Sequence, residues 1–251
     1  MIQPLRYATA FDMDGVIFRT TKPKHDARLS LFPETMKEVA SDAIMGLSGV
    51  PRRHKLARVY ETCFRREPST TELQNYLANY EVAMRAVLEA PVVAPGIRTF
   101  LERLSSPRFV CSSAPLEEVN HQLPMAGLEQ HFNGTYGAPI SKLEALRDVA
   151  RRVRGMKVVF FGDATIDRDA ARLAGCGFVA VVGETDQFSG TTTPKISDFA
   201  NDEVVLEAIK CALAANAASR SGSQNRRPAP DCTSPESSEV PASEDHDRGN
   251  R

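Results

Sequence analysis

Near the amino terminus lies the segment Tyr7-Ala8-Thr9-Ala10-Phe11-Asp12-Met13-Asp14-Gly15, from which the architecture of the whole chain can be worked out. An apolar, strand-forming run ends in two carboxylates separated by one residue, and a glycine follows at once. Carboxylates that lie this close both stay ionised only beside a positive charge, and otherwise one of them is protonated. In proteins this charge is commonly a bound Mg²⁺ ion with a phosphate group nearby. The segment therefore predicts a buried strand that ends at a magnesium-binding site.

The composition limits the classes of protein to which the chain can belong. It has 251 residues, of which 42% are hydrophobic and 25% are charged, and its formal net charge is -1. This length suits one large α/β domain together with a smaller one. Proteins that bind nucleic acids or membrane surfaces carry an excess of basic residues, which this sequence lacks. We therefore expect neither a nucleic-acid nor a membrane partner, and the sequence leaves the oligomeric state open.

The cysteines and the amino-terminal segment bear on the cellular compartment of the protein. Five cysteines are scattered along the chain, and none lies at a spacing typical of a metal site. Such cysteines are typical of reduced thiols in a cytosolic protein. No apolar run approaches the roughly 18 residues that a membrane-spanning helix needs, and Asp12 lies where a signal peptide would need its apolar core. We therefore expect a cytoplasmic protein.

Residues 20–93 are predicted to be helical, because the stretch from about Pro23 to Pro91 contains no convincing strand. The clearest helix follows Ser69, which forms a capping-box pattern with Glu72. Apolar residues then recur at a spacing of three or four, as on one buried helical face: Leu73, Tyr76, Leu77, Tyr80, Met84, Val87 and Leu88. A second helix is predicted from His54 to Arg66. The pattern indicates a small all-helical domain inserted after the first strand.

From Ala94 onward, predicted strands alternate with helices. The strands are Arg108 to Cys111, Lys157 to Phe161 and Gly177 to Val182. Strands joined by helices of this length form a mostly parallel sheet with helices on both faces. Residues 1–19 and 94–216 are therefore predicted to form a Rossmann-like α/β core.

Residues 217–251 differ in composition from the rest of the chain. They are rich in serine, proline and charged residues and contain few apolar ones. Such a segment cannot bury enough surface to offset the entropy lost on ordering. We therefore predict a disordered tail.

Several polar residues are predicted to meet at one edge of the sheet, because ligand sites in open α/β sheets form at the carboxyl ends of the strands. Asp12 and Asp14 end the first strand, and Lys142 begins a helix with a capping-box pattern. The complete set of candidates at this edge is Asp12, Asp14, Ser112, Ser113, Lys142, Asp163 and Asp167.

This set of groups suits phosphate chemistry. Asp12 can attack phosphorus to form an aspartyl-phosphate, and Mg²⁺ between Asp12 and Asp163 would neutralise the charge that develops. Asp14 can protonate the leaving alkoxide and then take a proton from the attacking water. Ser112 and nearby backbone N–H groups can donate hydrogen bonds to the phosphate. Lys142 adds a fixed positive charge at a helix amino terminus.

Four segments, in the expected order, resemble the motifs of the haloacid dehalogenase (HAD) superfamily. They are Phe11-Asp12-Met13-Asp14-Gly15-Val16, Val110-Cys111-Ser112-Ser113, Ser141-Lys142 and Phe161-Gly162-Asp163-Ala164-Thr165-Ile166-Asp167. The predicted helical domain is similar to the α-helical (C1-type) cap of the phosphoglycolate phosphatase and β-phosphoglucomutase branch. The resemblance implies an α/β core of this superfamily with a helical cap over residues 20–93.

The resemblance also implies roles for the acidic residues. Asp12 would be the nucleophile, and Asp14 would be the general acid and base while offering its backbone carbonyl to Mg²⁺. Asp163 would bind the metal directly, and Asp167 would act in the metal shell or just behind it. The dehalogenases of the superfamily lack an acid two residues after the nucleophile. The presence of Asp14 therefore favours a phosphate-ester substrate.

Two further positions bear on the substrate. Relatives often continue after the first motif with an acidic residue and then Ser or Thr, whereas this chain has Arg19 and Thr20. Thr20 is a candidate phosphate-binding residue. Gly49-Val50-Pro51-Arg52 resembles a cap loop that enters the active site in some relatives. Arg52 is therefore predicted to contact a second anionic group of the substrate, or else to be a solvated residue at a helix start.

Together these features predict a Mg²⁺-dependent phosphomonoesterase that acts on a small phosphorylated metabolite. A first alternative is a phosphosugar mutase similar to β-phosphoglucomutase, which excludes water from the aspartyl-phosphate. A second is a non-catalytic phosphate-binding or regulatory module that resembles a receiver domain. A receiver domain has no helical insertion after its first strand, which counts against that alternative. The identity of the metabolite stays open.

Overall fold

The computed structural model describes residues 6–47, 50, 52–89, 91–183 and 186–224. Within them lies a six-stranded sheet in which every pairing is parallel. Its strands are β1 (Tyr7–Phe11), β2 (Arg108–Pro115), β3 (Gly134–Ala138), β4 (Lys157–Gly162), β5 (Gly177–Val181) and β6 (Lys195–Ile196). The order across the sheet is β3-β2-β1-β4-β5-β6. The predicted Rossmann-like α/β fold is confirmed.

The helices of the described residues fall into two groups along the chain. Between β1 and β2 lie α1 (Thr21–Leu29), α2 (Lys37–Gly46), α3 (Arg52–Phe64), α4 (Thr70–Glu89) and α5 (Ile97–Arg103). The later helices are α6 (Leu116–Met125), α7 (Lys142–Arg152), α8 (Thr165–Ala174) and α9 (Asp202–Gln224). No helix in the described part of the chain is long and apolar enough to cross a membrane.

Helices cover both faces of the sheet because successive strand side chains point to opposite faces. On β1, Phe11 packs with residues of α5, α6 and α9, whereas Ala8 and Ala10 pack with residues of α7 and α8. The ring of Phe11 stacks on that of Phe161, with the ring centres 4.9 Å apart. These buried contacts fix β1 and β4 side by side at the centre of the sheet.

The sheet places the candidate site where its strand order reverses. β1 pairs with β2 on one side and with β4 on the other, so that Phe11 lies opposite both Val110 and Phe161. In a parallel sheet, the point at which successive connections leave in opposite directions opens a crevice at the carboxyl ends of the strands. The residues at the carboxyl ends of these three strands therefore come together.

Helices α1 to α4 pack around their own small apolar clusters. One cluster joins Ala27 of α1, Leu56 of α3 and Tyr80 of α4. At the start of α4, the backbone N–H of Glu72 donates to Ser69 Oγ at 3.2 Å, and Ser69 N–H donates to Glu72 Oε2 at 2.9 Å. The predicted capping box is thus present. The bounds 20–93 for a separate cap domain stay a prediction.

Three elements differ from the sequence-based expectation. β3 was not predicted, because its sequence Gly-Thr-Tyr-Gly-Ala has neither an apolar run nor clear alternation. β6 was not predicted either, since it is two residues long. α9 continues to Gln224, past the predicted boundary at 216, in a stretch whose several alanines favour helix. The rest of the predicted tail, residues 225–251, lies outside the described residues.

Candidate active site

The turn after β1 is shaped so that an acidic side chain from β4 can approach it. Gly15 has a φ of +77°, in the left-handed region that favours glycine. A Cβ atom at this position would lie 2.0 Å from Asp163 Oδ2. Only a glycine therefore allows the turn and Asp163 to occupy their observed positions.

Three carboxylates form a cluster at the ends of β1 and β4. Asp12, Asp163 and Asp167 each offer an oxygen, and these atoms all lie within 4.8 Å of one another. Asp167 Oδ2 also accepts hydrogen bonds from the backbone N–H groups of Asp163 and Ala164, each at 3.2 Å. Carboxylate oxygens are the protein ligands that Mg²⁺ prefers. The donor set therefore fits a hard divalent cation.

Lys142 brings one positive charge into this cluster. Its Nζ lies 2.6 Å from Asp12 Oδ2 and 2.5 Å from Asp167 Oδ1. It is the first residue of α7, which a capping box between Ser141 and Glu144 holds in place. Burial would lower the pKa of Lys142, but Asp12 and Asp167 outweigh this effect and raise it. Lys142 is therefore a fixed ammonium ion beside Asp12.

With its three carboxylates ionised, the cluster would carry more negative charge than Lys142 neutralises. Burial raises the pKa of Asp12 well above its ordinary value; Lys142 opposes this shift, while Asp167 and Asp163 add to it. Burial, and then the charge of Asp167, raise the pKa of Asp163 to about 7. Carboxylates whose pKa is raised in this way bind added positive charge favourably. This excess is the second reason why the cluster fits a divalent metal ion.

Asp14 lies in a different electrostatic environment. Its Oδ1 accepts a hydrogen bond from Thr20 Oγ1 at 2.5 Å, and its Oδ2 contacts Lys24 Nζ at 2.7 Å. Burial alone would raise the pKa of Asp14, but Lys24 and Thr20 outweigh it and lower the pKa. The pKa values of these two carboxyl groups, which are separated by a single residue, are thus shifted in opposite directions.

A chain of ion pairs continues from Lys24 to the helix α3. Lys24 is buried, and its ammonium group also contacts Glu118 of α6. Glu118 Oε2 in turn accepts a hydrogen bond from Arg52 Nη2 at 2.8 Å. One buried carboxylate on α6 therefore binds a cation from α1 and another from α3.

A cavity of about 500 Å³ lies over Asp14 and Lys142. This volume falls within the range of about 300–1,000 Å³ that is usual for small-molecule sites. Its lining comes from α1, α3, α4, α6, α7 and α8 and from the carboxyl ends of β2 and β3 with the segment that follows β3. A small metabolite that enters the cavity reaches Asp14 and Lys142 together.

Arg52 already has partners within the protein. Its guanidinium is paired with Glu118 and lies over the ring of Tyr80, with its central carbon 4.8 Å from the ring centre. It nevertheless lines the cavity, and its side chain is 32% exposed. Gly49 and Pro51 of the predicted cap loop lie outside the described residues. A contact of Arg52 with substrate stays a prediction.

The family is settled by comparison with known proteins. Residues 9–181 match the family model of the haloacid dehalogenase-like hydrolases. The chain belongs to this family. The resemblance of its four motifs is thereby confirmed. No curated protein sequence matches this haloacid dehalogenase-like hydrolase.

Solved structures share the fold of this haloacid dehalogenase-like hydrolase. A predicted phosphoglycolate phosphatase from Haemophilus somnus is 17% identical with a TM-score of 0.65, over 81% of this chain and 99% of that one. β-Phosphoglucomutase from Clostridium difficile is 18% identical with a TM-score of 0.63, over 84% and 100% of the two chains. A HAD hydrolase from Entamoeba histolytica is 16% identical with a TM-score of 0.63, over 83% and 99%. At these identities the similarity concerns the fold alone.

The remaining candidate residues of this haloacid dehalogenase-like hydrolase lie beside the cluster. Ser112 is buried, and its Oγ accepts a hydrogen bond from the backbone N–H of Ala114 at 3.1 Å. Ser113 is exposed and lines the cavity. Thr20 is buried, and its hydroxyl donates to Asp14. The contacts predicted between these three hydroxyl groups and a phosphate stay predictions.

Two residues of the charge network were missed by sequence reasoning. Lys24 follows Thr20 by four residues and precedes Arg28 by four, a spacing that places all three on one helical face. That spacing could have identified Lys24 as a neighbour of the first motif. Glu118 lies 94 residues further along the chain than Lys24, and no local pattern marks it.

Proposed function

We propose that this hydrolase is a Mg²⁺-dependent phosphomonoesterase that acts on a small phosphorylated metabolite in the cytoplasm. The observation that carries the proposal is the contrast between Asp12 and Asp14. Asp12 lies in an acidic cluster beside Lys142, whereas Asp14 is bound by Thr20 and Lys24. Two carboxylates in such different environments suit a nucleophile and a proton-transfer group.

In the first chemical step, a carboxylate oxygen of Asp12 attacks phosphorus and the P–O bond of the ester breaks. Asp14 gives its proton to the leaving alkoxide, so that an alcohol and an aspartyl-phosphate result. Lys24 favours ionised Asp14 in the free enzyme. A phosphate dianion bound close to Asp14 raises the pKa of that carboxyl and supplies the protonated form that this step needs.

In the second step, a water molecule attacks the phosphorus of the aspartyl-phosphate. Asp14, now ionised, takes a proton from the water, and the bond between phosphorus and the Asp12 oxygen breaks. Inorganic phosphate leaves, and Asp12 is again a carboxylate while Asp14 is protonated. Lys24, which favours the ionised form of Asp14, then promotes loss of that proton to solvent.

The metal site in this proposal comprises Asp12, Asp163 and Asp167, with the backbone carbonyl of Asp14. When ionised, these three carboxylates carry more negative charge than the single positive charge of Lys142 can neutralise, which supports a divalent cation at this position. Bound Mg²⁺ would neutralise charge on the nucleophile and on the phosphoryl oxygens. Lys142 itself would hold the Asp12 carboxylate in place and attract the phosphoryl group.

Ser112 and Ser113 are proposed to bind the phosphate. Ser112 is the last residue of the buried part of β2 and Ser113 follows it; β2 pairs with β1, the strand that ends just before Asp12. The hydrogen bond from Ala114 N–H to Ser112 Oγ lies where the register of β2 with β3 is irregular. Hydroxyl and backbone N–H groups at such an irregular strand end can donate to phosphate oxygens.

The decisive experiment measures phosphate release from p-nitrophenyl phosphate and from a panel of phosphorylated sugars, acids and nucleotides. Chelation should stop release and Mg²⁺ should restore it. Asp12→Asn should lower kcat by at least about a thousandfold, because the nucleophile is lost. Asp42→Asn, an exposed change on α2, is the matched control and should have wild-type activity.

Each outcome of this experiment decides the proposal. Turnover by Asp12→Asn at the wild-type rate would rule out the aspartyl-phosphate. A sugar phosphate whose phosphate group moves without release of inorganic phosphate would identify a mutase. If none of the compounds is hydrolysed in the presence of Mg²⁺, the protein is not a phosphomonoesterase of this kind.

A further inference from the structure

Helices α1 and α3 present four cations to the cavity. Lys24 and Arg28 are separated by four residues on α1, and Arg52 and Lys55 by three on α3. At these spacings, two side chains lie on the same face of a helix. Each helix therefore offers the cavity two cations, of which Lys24 and Arg52 come first along the chain and Arg28 and Lys55 second.

The first cation of each helix is neutralised inside the protein. Lys24 pairs with Asp14 and Glu118, and Arg52 pairs with Glu118. These ion pairs satisfy the two side chains before any ligand arrives. An anionic ligand that sought Arg52 would have to compete with a carboxylate that is almost completely buried.

The second cation of each helix, Arg28 on α1 and Lys55 on α3, forms no ion pair with an acidic residue in the described part of the chain. The charge of Arg28 is close enough to Asp14 to contribute to the lowered pKa of that carboxyl. The guanidinium carbon of Arg28 lies 5.6 Å from the ring centre of Tyr80, which positions the group by a cation–π contact. Both side chains are partly buried.

Arg28 and Lys55 also repel each other. Burial lowers the pKa of Lys55 to about 8, and the positive charge of Arg28 contributes to this shift. Two like charges held together at the wall of a cavity are unfavourable unless an anion binds between them. This arrangement is thus typical of a binding site for an anion rather than of a stabilising ion-pair network.

We propose that Arg28 and Lys55 bind a second anionic group of the substrate, a carboxylate or a phosphate, remote from the phosphate that is hydrolysed. The substrate class is then a phosphomonoester that carries a second anion. This inference rests on the proposed phosphatase function. A guanidinium group binds either anion through two parallel hydrogen bonds, and an ammonium group adds a point charge.

The dimensions and the lining of the cavity agree with such a substrate. A volume of about 500 Å³ exceeds what a phosphate group alone would fill. The lining is partly apolar, since it includes the exposed side chains of Ile140, Ile166 and Leu173. A short carbon chain can pack on these side chains while its two ends contact charged groups.

The test compares matched substrates that differ only in their second anion. Propyl phosphate has none, 3-phosphonooxypropanoate has a carboxylate, and propane-1,3-diol bisphosphate has a phosphate; a five-carbon series covers a longer span. Charge-assisted hydrogen bonds predict that the best compound with two anions has a kcat/KM at least about tenfold above that of its alkyl phosphate. For each compound with two anions, the ratio of its kcat/KM to that of its alkyl phosphate is the measured quantity. The compound with the larger ratio shows whether the second anionic group of the substrate is a carboxylate or a phosphate.

Variants assign this preference to the two residues. Arg28→Gln and Lys55→Gln should each lower the ratio by about tenfold, while Lys55→Arg should keep most of it. Arg53→Gln, an exposed change on the same helix as Lys55, is the matched control and should keep the full ratio. A loss of folding would lower kcat/KM for all the compounds together and would not change this ratio. A ratio that stays at its wild-type value in Arg28→Gln and Lys55→Gln would overturn the proposal.

The failure of this inference is distinguishable from the failure of the proposed function. If the wild-type protein hydrolyses p-nitrophenyl phosphate but all matched compounds have equal kcat/KM, the second-anion site is overturned and the phosphatase stands. If the protein hydrolyses none of the compounds, titration calorimetry measures how tightly each of them binds and so tests the second-anion site without turnover. Tighter binding of the compounds with two anions, lost in Arg28→Gln, supports the site, and equal binding refutes it.

Discussion

The buried charge of Lys24 can be tested by replacing it with methionine. Lys24→Met keeps a side chain of similar length but removes the cation that contacts Asp14 and Glu118, whose side chains are 26% and 6% exposed. Breaking a buried pair by removing one partner costs about 3–5 kcal/mol. Glu118 keeps Arg52 at 2.8 Å and Asp14 keeps its hydrogen bond from Thr20, so the lower end applies. We predict a loss of about 3 kcal/mol in the free energy of unfolding.

Urea unfolding followed by circular dichroism near neutral pH measures this loss. The midpoint should fall while the denaturant slope stays constant, and the Tm should fall by about 6–12 °C. Lys22→Met is the control on the same helix. Lys22 forms an ion pair with Asp26 at the surface, where the two side chains are 74% and 54% exposed. Such a surface pair is worth less than about 1 kcal/mol. Equal losses in the two variants would refute the buried charge network.

Three further substitutions test individual parts of the site. Gly15→Ala places a Cβ atom 2.0 Å from Asp163 Oδ2, so phosphate release should fall sharply and Mg²⁺ affinity, measured by calorimetry, should weaken. Lys142→Met removes the cation at 2.6 Å from Asp12 and should lower kcat/KM by at least about a hundredfold, and retention of activity would contradict its role. Ser141→Ala removes the helix cap of α7 and should cost about 1 kcal/mol in urea unfolding, whereas an unchanged midpoint would show that the cap is dispensable.

Local sequence patterns were sufficient to predict the class of the fold and much of its secondary structure. The apolar run that ends at Phe11 forms β1 at the centre of the sheet, and the capping boxes at Ser69 and Ser141 begin α4 and α7. These features depend on residues close together in sequence, whose hydrogen bonds and side-chain periodicity are set by the type of element. The acidic cluster was also anticipated, because parallel strands bring their carboxyl ends to one edge.

The contacts between distant elements were not predictable in the same way. The pairing of Lys24 with Glu118 depends on how α1 packs against α6, and neither helix carries a pattern that names its partner. Arg52 was expected to contact the substrate, yet its role depends on whether Glu118 already binds it. β3 and β6 form because neighbouring strands offer hydrogen bonds, which outweigh weak local preference.

The helix α1 has a consequence for how specificity can change in this protein. Thr20, Lys24 and Arg28 lie in one row, so a single short helix carries the two partners of Asp14, the proposed proton-transfer residue, and also a residue of the proposed second-anion site. Each residue inserted into a helix rotates all later residues by about 100° around the helix axis. An insertion between Lys24 and Arg28 would therefore turn Arg28 away from the cavity, while a substitution at Arg28 alone would change the proposed second-anion site and leave Asp14 in contact with Thr20 and Lys24. Specificity should consequently evolve here by exchange of side chains at a fixed helix length.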